Sequence, residues 1–148
     1  MCRFPTAFIF IVLSLSACHT STEGLSESIA PSNITGPAAS TIAGDMAARY
    51  AEQAGSTGAT IRLHSEASDF AVAFEAALKG WGYVVVTDDK QIKGPNNTER
   101  VELAYSLVSI DGQVLARLST DTLELGRAYT VTNSVATPAS PLSLMKRN

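Results

Sequence analysis

Residues 68–87 read SDFAVAFEAALKGWGYVVVT, and this stretch decides the fold. Phe70, Ala71, Phe74, Ala77, Leu78 and Trp81 recur three or four residues apart, so a helix opened by Ser68 carries one apolar face. Gly80 and Gly82 end it. The next residues, 83–87 (YVVVT), form a continuous β-branched run, which predicts a central strand covered on both faces or nearly so. A helix that passes directly into a strand calls for a sheet on which its apolar face can be buried.

Working outward toward the N-terminus, residues 60–64 (TIRLH) alternate Ile61 and Leu63 with Arg62 and His64, as a half-buried strand does. Two strands joined by a helix form a right-handed crossover and run parallel. Further upstream, after Gly36-Pro37, the residues Ala38, Ala39, Ile42, Ala43, Met46, Ala47 and Tyr50 mark another amphipathic helix. Asp45, Arg49 and Glu52 fall elsewhere on its wheel, and Gly55 and Gly58 stop it.

On the C-terminal side, residues 88–98 are polar and contain Gly94-Pro95-Asn96-Asn97, a loop. Residues 101–110 (VELAYSLVSI) and 114–119 (VLARLS) flank Asp111-Gly112, a strong short-range hairpin signal, because both turn positions need positive φ. A further strand-like stretch covers 123–132. The expected fold class is α+β: a small two-layer sandwich, a mixed sheet with two helices on one face, in the order α-β-α-β-β-β. The domain is expected over 36–133. Residues 134–148, with Pro138 and Pro141, read as an extended tail available to a partner.

The N-terminus has its own logic. One positive charge, Arg3, precedes the apolar residues 7–15 (AFIFIVLSL), and small residues follow: the three-part pattern of a secretory signal over residues 1–17. The apolar run is about half of the ~20 residues that a spanning helix needs. Leu15-Ser16-Ala17-Cys18 fits a bacterial lipobox. Leu15 fills an apolar subsite, Ser16 and Ala17 are small enough for a tight protease groove, and the Cys18 thiol takes up diacylglycerol as a thioether. At roughly 0.8 kcal/mol per buried CH₂, two or three acyl chains such as palmitate make a lasting anchor. Apart from this covalent lipid no cofactor is implied. Residues 18–35 are then the lipidated Cys and a polar, Ser/Thr-rich flexible tether. His19 stands where retained inner-membrane lipoproteins of enteric-type bacteria carry Asp, a resemblance that favours the outer membrane with the domain facing the periplasm.

Composition narrows the partners. Eleven Lys and Arg against 14 Asp and Glu give a net charge of −3 over 148 residues. With no basic run, neither nucleic acid nor a polybasic grip on lipid is indicated. Of the two cysteines, Cys2 lies in the segment to be removed, so the mature chain keeps Cys18 alone.

A search for catalytic or metal machinery leaves little. His64 sits on the outer face of a strand and reads as a solvated side chain. Asp88-Asp89 and Glu99-Glu102 read as solvated loop edges. No phosphate loop or nucleophile elbow is present. Trp81 and Tyr83, flanking Gly82 beside a polar loop, motivate an alternative reading as a periplasmic lipoprotein that binds a small ligand or a cell-envelope fragment. The blander reading is aromatic packing at a helix-to-strand turn.

Three stretches carry a resemblance. They are residues 36–46 (GPAASTIAGDM), 75–83 (EAALKGWGY), and a C-terminal run comprising 111–120 (DGQVLARLST), 125–130 (LGRAYT) and 136–142 (ATPASPL). In order and extent these resemble the TrbH family of conjugal transfer lipoproteins, which belong to the mating-pair-formation (type IV secretion) apparatus. The resemblance implies a non-enzymatic structural or assembly role in plasmid DNA transfer, with other conjugation-channel proteins as partners. Since the mature chain has no second Cys, those partnerships are expected to be noncovalent.

Overall fold

The protein is described here by a computed structural model covering residues 28–31, 33–34, 36–55, 58–87 and 100–147. Helix α1 (Gly36–Ala54) is followed by β1 (Thr60–Leu63), α2 (Asp69–Gly80) and β2 (Val84–Thr87). Then come β3 (Arg100–Ile110), β4 (Gln113–Ser119), β5 (Leu123–Thr132), β6 (Val135–Pro138) and β7 (Ser143–Lys146). The strands form one seven-stranded mixed sheet in the order β2-β1-β3-β4-β5-β6, with β7 also on β5. The expected α+β sandwich is what the chain forms.

Local chemistry explains the boundaries. Ser68 caps α2 by accepting a hydrogen bond at Oγ from the Ala71 N–H, at 3.1 Å. Gly82, at φ +90°, turns the chain out of the helix, and its N–H donates to the Lys79 carbonyl at 2.9 Å. The crossover joins parallel strands, as expected: β1 pairs parallel with β2 and also with β3. At the β3–β4 hairpin both Asp111 (φ 49°) and Gly112 (φ 78°) take positive φ.

One face of the sheet is covered. Ile61, Leu63, Leu103, Leu107, Leu118 and Leu125 point to it and are at most 2% exposed. Ile42 and Met46 of α1 and Phe70, Phe74 and Leu78 of α2 meet them in a single core. Tyr105 fits against Phe70 with ring centroids 4.9 Å apart in an edge arrangement.

Three expectations are corrected. The 83–87 run is not a central strand: β2 is the sheet's edge and Val84 is 53% exposed. Its β-branched residues suit an edge with one covered face as well as a core strand, so composition alone could not place it. Next, the described residues between 28 and 34 are not part of a free tether. Ser28 is fully buried and its Oγ accepts from the Tyr105 N–H at 3.0 Å. Ile29 bridges to Ser106 in the lane that β1 vacates, and Ile34 enters the core. Finally, the presumed tail belongs to the sheet. Asn133 (φ 50°) and Ser134 (φ 64°) make a second tight turn, after which β6 and β7 occupy successive lengths of the β5 edge.

Candidate functional site

The polar residues that this fold gathers centre on Asp45. It lies on α1 where the helix crosses β5, with its side chain 21% exposed. Its Oδ2 accepts from the Tyr129 hydroxyl at 2.6 Å and from Arg127 Nη1 at 2.9 Å. Its Oδ1 faces Arg49 Nε at 3.4 Å, one helical turn on. Arg127 Nε donates to the Ser140 carbonyl at 3.1 Å, and Ser140 Oγ accepts from the Ala128 N–H at 2.9 Å. Helix, central hairpin and C-terminal segment are thereby joined through one carboxylate.

Tyr129 is fully buried, and burial first, then the Asp45 carboxylate, pushes its hydroxyl pKa far up, so it donates rather than ionises. The carboxylate's acceptor positions are engaged by charge-assisted bonds. Such an arrangement can brace two layers.

A second cross-tie holds the C-terminus. Glu124 accepts from Arg117 and, at 2.5 Å, from Arg147 Nη2, while the Arg147 N–H donates to the Thr122 carbonyl at 2.8 Å. The hydrogen bond from Arg117 leads the causes that hold the Glu124 carboxyl below its ordinary pKa. At the N-terminal ends of the helices, the Gly36 N–H donates to Asp69 Oδ2 at 3.0 Å.

The residues singled out in the sequence fall differently. Leu15, Ser16, Ala17 and Cys18 lie outside the described residues, as do Asp88, Asp89 and Glu99. Glu102 is not on a loop edge: it sits in β3, and its carboxylate lies 2.6 Å from His64 Nε2 and 3.8 Å from Arg62. His64 is accordingly half-buried beside a carboxylate instead of freely solvated. Trp81 lies off the buried face of α2, 46% exposed at its C-cap. Tyr83 is buried against Tyr50, with centroids 5.6 Å apart, and its hydroxyl has no hydrogen-bond partner among the described residues. Burial, and then Tyr83, pushes the Tyr50 pKa up to about 12. Among the described residues, two cavities of about 350 and 320 Å³ open to the surface, neither lined by Trp81 or Tyr83. The first is flanked by Leu115, Arg117 and Met145, the second by Tyr50, Gln53 and Lys146. Among the described residues, no group of three or more His, Cys, Asp or Glu side chains is placed to hold a metal ion.

The Asp45 cluster was missed in the sequence. One signal was there: Arg127 and Tyr129 alternate with Leu125 on the covered face of β5, and an Arg in that register needs a buried counter-charge.

Fold and clusters together define a class: a small helix-backed sheet braced by carboxylate–guanidinium ties. Its family follows from comparison. The chain belongs to the TrbH family, described as "Conjugal transfer protein TrbH", which matches residues 20–148. It is similar to the "Probable conjugal transfer protein TrbH" of Sinorhizobium fredii (strain NBRC 101917 / NGR234), with 56% identity over 149 residues and all of both chains covered. No solved structure matches the chain. The stretches that carried the resemblance meet in space: Asp45 comes from 36–46, Arg127 and Tyr129 from 125–130, and Ser140 from 136–142.

Proposed function

We propose that the protein is an outer-membrane-anchored lipoprotein, with its domain in the periplasm, acting as a non-enzymatic structural or assembly component of a conjugation apparatus for plasmid transfer. The observation that carries this reading is Leu15-Ser16-Ala17-Cys18, placed where a nine-residue apolar run ends, in a chain of the conjugal transfer family. The point where the chain enters the sheet adds a constraint. From Cys18 to the buried Ser28 is ten residues, a reach of at most about 35 Å. An acylated Cys18 would therefore hold the domain close to the bilayer and raise its local concentration at the assembly site. Partners of the channel dock on it noncovalently, and the polar clusters brace the domain that presents the docking surface.

Mass spectrometry of the membrane-extracted protein, after density-gradient separation of the two membranes, tests the anchor. The expected N-terminus is an acylated Cys18 in the outer-membrane fraction. An unmodified chain, or one retaining residues 1–17, would overturn it.

A further inference from the structure

The face of the sheet turned away from the helices has a division that the function above does not use. Its lower half carries the charges, Arg62, Arg100, Glu102 and Glu124 on β1, β3 and β5, beside exposed Val84 on β2 and Met145 on β7. Its upper half is neutral. Ile29, Val108, Ile110, Leu115 and Val135 are 39–60% exposed there, interleaved with Gln113, Thr130 and Thr137. Register places them together: Ser106, which Ile29 bridges, pairs with Arg117, Val108 with Leu115, and Ile110 with Gln113. Aliphatic side chains gathered on one sheet face mark an interaction surface.

Two charged residues of the described chain bound this half along the hairpin. Arg117 stands at one end, 53% exposed, and Asp111 at the other, in the turn. The Val108–Leu115 pair lies between them. We propose that this half-face is the contact between two copies of the chain, packed sheet on sheet about a two-fold axis that runs along the Val108–Leu115 row, at right angles to the strands. That axis reverses strand direction across the interface. It sets each Arg117, already paired with Glu124 of its own copy, near the partner copy's Asp111 and packs the neutral centre against itself, so Asp111 gains a counter-charge as it is covered. A charged partner surface would find no matching charge on the neutral centre.

The dimensions suit a modest dimer. Five lanes at about 4.8 Å and seven levels at about 3.4 Å span on the order of 550 Å² in projection. A stable interface buries roughly 800 Å² per partner. Confinement to a membrane would favour such a dimer, but the face itself does not depend on the anchor.

The test is crosslinking in intact cells that produce the full chain, using a membrane-permeant bismaleimide. Thr130→Cys puts a thiol in the neutral half, and Ser40→Cys puts one on the solvent side of α1. The unaltered chain gives the background from its own cysteines. The expected result is a product of twice the chain mass from Thr130→Cys and only background from Ser40→Cys. Adding Ile110→Asp to the former should lower the product at least tenfold, with Ile110→Thr giving a smaller decrease at undiminished protein level. Four results would overturn the proposal: background crosslinking at Thr130→Cys, equal crosslinking at both sites, insensitivity to both Ile110 changes, or a product whose mass shows a different protein on the face.

Discussion

The two faces of the sheet are built from the same strands, yet they do different work. On β4, Leu118 is 2% exposed under the helices while Leu115, three residues away, is 39% exposed on the other side. The covered face fills with Leu, Ile and Phe and closes into one core. The open face has a neutral upper half with exposed aliphatic residues, and a lower half where charges stand among exposed Val84 and Met145. Stability is therefore concentrated on one face, and the other is left available for contacts that the isolated domain does not need.

The sharpest way to break this comparison is to cut one residue from each face. Leu118→Ala removes buried methylenes and leaves a cavity, and should cost about 3 kcal/mol in urea unfolding of the detergent-extracted protein. Leu115→Ala on the same strand should cost less than about 1 kcal/mol. Equal costs would mean that the open face is packed against something in the isolated protein.

The cross-tie between the layers comes next in size. Asp45→Ala leaves Arg127 and the Tyr129 hydroxyl without their acceptor, and should destabilise by about 2–3 kcal/mol. Tyr129→Phe loses one bond to a charged group, about 1.5 kcal/mol or slightly more. Tyr83→Phe makes the same chemical change where the hydroxyl has no partner among the described residues, and should leave stability unchanged or raise it slightly. The same unfolding curves read out all three.

The smallest effect sharpens the comparison at the C-terminus. The Glu124 carboxyl is held below its ordinary pKa, so its contribution is fully present above the unfolded carboxylate range. It is lost as pH falls through the lower folded value. The difference in Tm between the protein and Glu124→Gln should thus be greatest near neutral pH and shrink on acidification below about pH 4. A difference that grows in acid would contradict the ion-pair account.

Much of the covered face was legible because it rests on periodicity. The α1 and α2 stripes, the parallel crossover and the Asp111-Gly112 hairpin each follow from local sequence rules. What was not legible depends on register between distant segments. Nothing within YVVVT says whether a strand lies beyond it, so β2 was misplaced. Asn133-Ser134 lacks the Gly that marks a tight turn, although Asn tolerates positive φ, so β6 and β7 read as a tail. Ser28 and Ile29 sit in a polar, aperiodic stretch, and only the vacant lane beside β3 draws them in. The Asp45 cluster joins residues more than 80 positions apart, and only its Arg on a covered strand face hinted at it.

The domain can serve an assembly in the envelope only if it is held where its partners are, so the anchor is the central claim. The direct measurement is plasmid transfer frequency in mating assays with Cys18→Ser, alongside proteolysis of the extracted protein to confirm an intact domain. The account predicts that transfer falls at least tenfold while the protease-resistant core is unchanged. Normal transfer by a Cys18→Ser protein shown to carry no lipid would contradict it.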